Sequence, residues 1–366
     1  MLVRYSTDEK GRPVKKAVVY TKSEHKIKPD SIDRDALLII DCLKRNGFES
    51  YIVGGAVRDL LGGRTPKDFD IVTDATPSRI KKLFRNSRII GKRFRLVHVF
   101  FGPKIFEVST FRSIVDGSVG NAFGTIDEDF QRRDFTLNAL YYDPVKQHII
   151  DYVGGVEDIR KGILKPVIPL ERIFIEDPVR MLRAIKYGAT TGCKISRKLK
   201  KKIRESAPLL SPVSPSRLTE ELLKIINGGH AHDIVSSALE TDLYMYLQPA
   251  ATNLMLESKK FEKAYLESLK RLDELAVRSP ESRTGERLYF LLKDFVEQLT
   301  DWNLEMKSAL SPSELYRQTW TVCRNFVLPM NPQRTELDFA VRKILSEKGI
   351  PVKPRRQKQY QRQSRP

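Results

Sequence analysis

The stretch from Tyr51 to Pro77, YIVGGAVRDLLGGRTPKDFDIVTDATP, constrains this chain more than any other. Its apolar start predicts a strand that stops at Gly54-Gly55, and the following residues predict a short helix with Arg58 in its first turn. A double glycine between a strand and a helix lets the backbone approach a ligand closely, with free N–H groups directed at it. The segment therefore predicts an anion site, to which the arginine adds a cation.

Two carboxylates follow this predicted anion site. Asp68 and Asp70 are two positions apart at the start of a second predicted strand, Phe69 to Thr73. On a strand such residues project from one face, where they can share a divalent metal ion. Each half of the pattern occurs by itself in many proteins, as a plain glycine turn or as surface carboxylates. Their ordered combination predicts metal-assisted chemistry on a nucleotide.

A third carboxylate lies on a predicted hairpin further along the chain. Strands are predicted over 96–101 and 105–111, joined by Gly102-Pro103. Glu107 alternates with apolar residues on the second strand, which places it beside the first two carboxylates. An ordinary solvent-facing glutamate is the alternative that this strand alone leaves open.

Two more polar clusters fit a nucleotide site. Arg133 is suited to a triphosphate and Asp134 to ribose hydroxyls, with Asn138 one helical turn further on the same predicted face. A second helix is predicted from Pro178, whose polar face carries the residues Asp177, Arg180 and Arg183. Taken alone, both clusters are also compatible with ordinary ion pairs on a helix surface.

The order of these motifs over residues 48–228 resembles the polymerase-beta-like nucleotidyltransferases, in the branch of bacterial poly(A) polymerases and CCA-adding tRNA nucleotidyltransferases. The resemblance implies an α+β fold: a catalytic head with a mixed sheet and helices, followed by an all-α neck, body and tail. It also implies ATP as substrate, with CTP as a second possible substrate, and two Mg²⁺ ions. One ion lowers the pKa of the RNA 3′-hydroxyl and aligns it on the α-phosphate, and the other stabilises the departing pyrophosphate.

The resemblance assigns a role to each motif residue. The expected metal ligands are Asp68, Asp70 and Glu107. The expected catalytic residues are Asp68, Asp70, Glu107 and Asp134. The expected nucleotide-binding residues are Gly54, Gly55, Arg58, Arg133, Asp134, Asn138, Asp177, Arg180 and Arg183.

Base selection is expected on the second polar helix. A carboxylate beside a guanidinium complements an exocyclic amine next to an unprotonated ring nitrogen, the edge that adenine and cytosine share. Uracil and guanine present a carbonyl and a ring N–H instead, so a mismatch leaves buried polar groups unpaired. This helix therefore cannot separate an A-adding enzyme from one that adds C and A.

The segment Ile89–Phe94 resembles the signature of the poly(A) polymerase type. Together with the basic C-terminal residues, it favours a poly(A) polymerase that adds AMP from ATP to RNA 3′ ends, of mRNA or tRNA. A CCA-adding tRNA nucleotidyltransferase that uses CTP and ATP is the alternative. A catalytically inactive RNA-binding protein is a further, weaker one.

Composition supports a nucleic-acid partner. The 366 residues carry 65 Lys plus Arg against 46 Asp plus Glu, a net charge of +19, and such a balance favours a polyanion. An anionic membrane surface is the rival, but we find neither a long apolar span nor a signal-peptide core, so no membrane is expected. Cys42, Cys193 and Cys323 are scattered without paired spacing, which favours a cytoplasmic location. The oligomeric state stays open.

Five segments are expected along the chain. Residues 151–159 are expected to form a loop with a Gly154-Gly155 hinge, and 194–204 a basic helix that follows the RNA backbone. The predicted segments are a poorly ordered basic arm (1–30), the catalytic head (31–160), a helical neck that binds the base and RNA (161–228), a helical RNA-facing body (229–348) and a basic disordered tail (349–366).

Overall fold

The computed structural model describes residues 2–7, 12–91, 95–114, 122–299 and 310–350. The chain divides into two compact units, Met1–Leu209 and Leu210–Pro366. The division falls inside the span that we predicted as the neck. Most of the C-terminal tail, residues 351–366, lies outside the described residues.

The first unit is built on one mixed sheet. Within the described ranges its strands are β1 (Leu2–Thr7), β2 (Pro13–Tyr20), β3 (Ser50–Val53), β4 (Asp70–Thr73), β5 (Ser87–Ile90), β6 (Leu96–Phe101), β7 (Lys104–Thr110), β8 (Leu140–Asp143) and β9 (His148–Asp151). They lie in the order β1-β2-β9-β8-β3-β4-β7-β6-β5. The β4–β7 pair is parallel, and the other neighbours are antiparallel. The predicted mixed sheet and the hairpin at Gly102-Pro103 are confirmed.

Several helices of the first unit cover one side of this sheet. The helices of the first unit are α1 (Lys22–His25), α2 (Arg34–Arg45), α3 (Gly55–Leu61), α4 (Pro77–Leu83), α5 (Ile126–Asp129), α6 (Gly155–Lys161), α7 (Ile173–Glu176), α8 (Arg180–Thr191) and α9 (Arg197–Ser206). The apolar faces of α2, α3 and α4 pack on alternate sheet residues such as Ile52 and Ile71. Residues of the opposite parity, including Tyr51, Val72 and Tyr141, form a second cluster. Two short parallel strands, β10 (Ile163–Leu164) and β11 (Lys194–Ile195), lie apart from the main sheet.

The expectation of a poorly ordered N-terminal arm differs from the structure. Residues 2–7 and 13–20 form β1 and β2, and β2 pairs with β9 through Val18, Val19 and Tyr20. The physical reason is the short apolar segment that follows the lysines, because Val19 and Tyr20 are buried where they extend the sheet.

The loop predicted over 151–159 is also wrong, because α6 begins at Gly155. The carboxylate of Asp151 accepts hydrogen bonds from the four backbone N–H groups of residues 153–156, at 2.8 to 3.1 Å. A Cβ on Gly155 would lie 2.2 Å from the Thr136 carbonyl oxygen. This segment is a tightly bonded, closely packed turn that leads into a helix.

The secondary structure of the second unit consists of helices alone within its described residues, as predicted. Its helices are α10 (Pro215–Ile226), α11 (Ala231–Glu240), α12 (Tyr244–Leu247), α13 (Pro249–Glu257), α14 (Lys259–Arg278), α15 (Thr284–Leu299), α16 (Pro312–Phe326) and α17 (Arg334–Glu347). Helix α14 contributes Leu269 and Leu272 to the buried core. In neither unit is any described helix long and apolar enough to cross a bilayer.

Candidate active site

The glycine turn lies between β3 and α3, as the sequence predicts. Gly54 has φ +68° and ψ −130°, a conformation that strongly favours glycine, and α3 begins at Gly55. A Cβ placed on Gly54 would lie 3.7 Å from Oδ2 of Asp70. The glycine turn and the Asp70 carboxylate are therefore direct neighbours.

The register of strands β4 and β7 places the Glu107 carboxylate level with Asp70. Ile71 pairs with Val108 across the parallel strands β4 and β7, so the preceding residues, Asp70 and Glu107, occupy matching positions. Asp70 has solvent access, yet protein surrounds its carboxylate on most sides. Burial, then the charge of Glu107 and then that of Asp68, raise the pKa of Asp70 to about 6. The three predicted carboxylates are thus electrostatically coupled.

This donor set has the chemistry of a divalent cation site. Nowhere in the described ranges do three or more His, Cys, Asp or Glu side chains already form a complete metal site. The mutual repulsion of Asp68, Asp70 and Glu107 is nevertheless the kind that a bound cation relieves, and carboxylate oxygens are the ligands that Mg²⁺ prefers. The residues therefore fit a Mg²⁺ ion.

Arg58 connects the glycine turn with Asn138 of the predicted ribose motif, which consists of Asp134 and Asn138. Its Nη1 donates to Oδ1 of Asn138 at 2.9 Å, and its Nε donates to Oδ1 of Asp59 at 3.0 Å. The guanidinium lies over the ring of Tyr187, with Cζ 5.3 Å from the ring centroid. Arg58 is therefore held in place from two sides.

Asp134 and Asn138 contact each other, although not on a helix. Asn138 belongs to a 3₁₀ turn, Thr136–Asn138, and Asp134 precedes this turn, so the predicted common helix face is wrong. The turn brings Nδ2 of Asn138 to 3.2 Å from Oδ1 of Asp134. The same oxygen accepts the backbone N–H of Phe135 at 2.7 Å. Asp134 is buried, so the predicted ribose motif is formed by a turn whose polar groups bind one another.

Arg133 contacts a residue that our sequence analysis did not select. Its Nη2 donates to Oδ2 of Asp129 at 2.9 Å, and its Nη1 donates to the Asn138 carbonyl at 3.1 Å. The guanidinium also packs on the ring of Tyr141. Asp129 precedes Arg133 by four positions, and this helical spacing was the available signal.

The structure does not place all the residues predicted to select the base on one helix. Asp177 is extended and precedes α8, which begins at Arg180, so the predicted polar face shared by Asp177, Arg180 and Arg183 is wrong. Arg180 is buried, and its guanidinium donates to Oε2 of Glu176 at 3.1 Å and to backbone carbonyls. Arg183 is more accessible than Arg180, with 39% of its side chain exposed.

Family comparisons match both units. Residues 50–165 match the poly A polymerase head domain, and residues 192–255 match the region described as the probable RNA and SrmB-binding site of polymerase A. Poly(A) polymerase I of Escherichia coli O6:H1 is 41% identical over 256 residues, 66% of this chain and 55% of that protein. The CCA-adding enzyme of Geobacillus kaustophilus is 36% identical over 229 residues, 60% of this chain and 56% of that protein. The chain spans little more than half the length of these relatives.

A solved structure agrees with the fold. The crystal structure of the Bacillus stearothermophilus CCA-adding enzyme in complex with CTP has a TM-score of 0.58 and 28% identity, covering 86% of this chain and 82% of that one. The predicted α+β class, with a mixed-sheet head followed by helices, is confirmed. The chain belongs to the polymerase-beta-like nucleotidyltransferases, in the branch of the poly(A) polymerases and CCA-adding enzymes.

Proposed function

We propose that this protein is a template-independent RNA nucleotidyltransferase that adds AMP from ATP to RNA 3′ ends and releases pyrophosphate. One observation carries the proposal. The Asp70 carboxylate lies against the glycine turn at Gly54, with Glu107 in the matching position of the neighbouring strand. Metal-binding carboxylates beside a backbone that can approach phosphates are the two parts that nucleotidyl transfer needs.

The carboxylates and the surrounding residues would bind different parts of the reacting complex. Asp68, Asp70 and Glu107 would hold two Mg²⁺ ions, whose chemistry here would be activation of the RNA 3′-hydroxyl and stabilisation of the leaving pyrophosphate. Gly54 and Gly55 bring backbone N–H groups to the triphosphate. The side chains that would bind and orient the rest of the nucleotide are Arg58 and Arg133 at the phosphates, Asp134 and Asn138 at the ribose, and Asp177, Arg180 and Arg183 at the base.

The internal contacts refine these roles. Arg133 pairs with the buried Asp129, and the buried Arg180 pairs with Glu176, so we propose that much of their effect is to hold the site in shape. Arg183 is the arginine of the base-binding set with the most accessible side chain, and we propose it for direct contact with the nucleotide.

AMP addition is favoured over CCA addition. The identity to an Escherichia coli poly(A) polymerase is 41%, against 36% to the Geobacillus CCA-adding enzyme, and the segment Ile89–Phe94 favours the same activity. Residues 92–94 of that segment lie outside the described residues. CCA addition stays the alternative, because the similar solved structure is a CCA-adding enzyme in complex with CTP.

The test offers purified protein with Mg²⁺ two RNAs, a tRNA without its terminal CCA and an unstructured oligoadenylate. Each RNA receives ATP, CTP or both, and the products are sized on a gel. A long ladder on oligoadenylate with ATP alone supports the proposal. Addition of three nucleotides to the tRNA, requiring both triphosphates, assigns CCA addition instead. Extension of neither RNA leaves a catalytically inactive RNA-binding protein.

Asp70→Ala is the matched control for this assay. It should abolish transfer and leave RNA binding nearly unchanged, because it removes a metal ligand and no basic residue. An active Asp70→Ala protein contradicts the metal assignment. We propose a cytoplasmic location for this chemistry, which the three free cysteines, Cys42, Cys193 and Cys323, support.

A further inference from the structure

Tyr187 on α8 contacts residues from the phosphate and base motifs. Its ring packs under Arg58, with Cζ of the arginine 5.3 Å from the ring centroid. The rings of Tyr187 and Phe135 are T-shaped, with their centroids 5.9 Å apart. Its hydroxyl oxygen accepts hydrogen bonds from Nε and Nη2 of Arg183, at 3.3 and 3.0 Å. Our sequence analysis gave this tyrosine no role, although it lies four positions after Arg183 on the same helix.

Asp134, which belongs to the predicted ribose motif, has one carboxylate oxygen that accepts hydrogen bonds and one that accepts none, although the latter forms an ion pair with Arg183. Oδ1 accepts from Phe135 and Asn138. Oδ2 is buried and accepts no hydrogen bond from any described residue. Nε of Arg183 lies only 2.9 Å from Oδ2, but its N–H is directed at the Tyr187 hydroxyl. Buried acceptors are nearly always hydrogen-bonded, so an acceptor without a hydrogen bond in a candidate ligand site is suited to a donor that a ligand supplies.

We propose that the Tyr187 hydroxyl keeps Oδ2 of Asp134 open as the acceptor for a ribose hydroxyl of the incoming nucleotide. The inference rests on the proposed function and deepens it. The hydroxyl competes with Asp134 for the Nε–H of Arg183 and retains it. Without the hydroxyl, that N–H turns to the nearby carboxylate and forms a charge-assisted hydrogen bond, which occupies the acceptor. Tyr187 is therefore a positioning residue for ribose recognition that acts through Arg183.

Equilibrium binding tests this inference directly. Calorimetry measures the affinity of the full chain for ATP, 2′-dATP and 3′-dATP in the presence of Mg²⁺. Tyr187→Phe keeps the aromatic ring and removes only the hydroxyl. The reference is the deoxy analogue that the wild-type protein binds more weakly. We expect Tyr187→Phe to lower the ratio of the affinities for ATP and for this analogue roughly fivefold, which corresponds to the net free energy of one hydrogen bond. The matched control is Tyr142→Phe, since the buried Tyr142 hydroxyl makes no hydrogen bond within the described part of the chain; its preference should stay at the wild-type value.

A double variant separates positioning from a general structural effect. If Tyr187 acts through Asp134, adding Tyr187→Phe to Asp134→Asn should change the ribose preference no further, because the two residues serve one interaction. An equal additional loss in that background overturns the inference. An unchanged preference in a folded Tyr187→Phe protein, or a wild-type protein that does not distinguish ATP from either analogue, overturns it as well.

The failure of this inference can be told apart from failure of the proposed function. Wild-type protein that extends RNA, with a Tyr187→Phe variant of unchanged ribose preference, refutes only the role of Tyr187. Wild-type protein that extends no RNA, yet shows a ribose preference that Tyr187→Phe reduces, refutes the proposed transfer and supports the role of Tyr187.

Discussion

Asp129 holds Arg133 within the first unit, with Nη2 of the arginine 2.9 Å from Oδ2 of the carboxylate. Asp129 is 0% exposed. Arg132 donates to its other oxygen at 2.6 Å, and the Tyr141 hydroxyl donates to Oδ2 at 2.8 Å. Because Arg133 also binds the Asn138 carbonyl, this carboxylate stabilises the turn that carries the proposed ribose motif.

Asp129→Asn should therefore lower the free energy of unfolding by about 3 kcal/mol at pH 7, since it removes one partner of a buried ion pair and leaves guanidinium charge uncompensated. Urea unfolding measures the change. Glu157→Gln on α6 is the control, because the exposed pair of Glu157 with Lys161 should contribute well under 1 kcal/mol. Equal losses in the two variants contradict the prediction.

The stabilising effect of Asp129 should depend on pH in a defined direction. Burial by itself raises the pKa of Asp129, but the charges of Arg133 and Arg132 and the hydrogen bonds outweigh it and hold the pKa well below its usual range. A carboxyl group with a lowered folded-state pKa stabilises fully above its unfolded value of about 4 and loses that effect as pH falls through the folded value. The stability difference between wild type and Asp129→Asn should be constant from about pH 8 to pH 5 and shrink below about pH 4. A difference that grows on acidification is the contrary result.

Gly54→Ala should reduce AMP transfer on the order of 100-fold, because backbone strain at φ +68° would displace a turn whose Cβ position is in van der Waals contact with Oδ2 of Asp70, at 3.7 Å. Gly63→Ala is a matched control. Gly63 has φ +67°, close to the +68° of Gly54, but nothing lies within 4 Å of its Cβ position. Both variants should lose about 1–2 kcal/mol of stability through backbone strain, and only Gly54→Ala should lose activity. The measurements are thermal unfolding and the rate of AMP incorporation, and a similar activity loss in both variants would point to strain alone.

Arg180→Ala should destabilise the protein by about 3 kcal/mol, since the buried guanidinium binds Glu176 and two backbone carbonyls. Arg172 also pairs with Glu176, but 68% of its side chain is exposed. Arg172→Ala should therefore cost less than 1 kcal/mol. Urea unfolding of both variants distinguishes the buried pair from the surface pair, and a stable Arg180→Ala protein would instead make Arg180 a residue used mainly for nucleotide binding.

Helix α9 should contribute to RNA binding through its exposed basic side chains. Leu199 and Ile203 are buried, whereas Lys198 and Lys201 are exposed. The double variant Lys198→Ala, Lys201→Ala should weaken RNA binding and reduce the slope of log K against log salt concentration by about 1.4, roughly 0.7 for each phosphate contact with a single strand. Fluorescence titrations over a range of salt concentrations give the slope. Replacing the exposed residues Lys28 and Lys161 by alanine removes the same charge elsewhere and should leave the slope unchanged; an equal reduction would mean that net charge alone is responsible.

The sequence by itself determined the parts of the site that depend on neighbouring residues. The glycine turn at Gly54 and the hairpin at Gly102-Pro103 were predictable because turn chemistry is local. The strand after the glycine turn was also predictable, but it begins at Asp70, so Asp68 lies just before it and the common strand face predicted for the two residues is not formed. These local patterns were sufficient to identify the head and its family.

The tertiary structure decided which polar groups meet. Arg180 points into the protein because Glu176 and the carbonyls lie there, while Arg183 lies beside Asp134, a pairing that no spacing along the helix reveals. The first strands join the sheet only because β9, far along the chain, supplies a partner for β2. Tyr187 gains its environment from Arg58 in the same way. Side-chain direction and long-range pairing follow from packing and from satisfying buried polar groups, and both depend on parts of the chain that are distant in sequence.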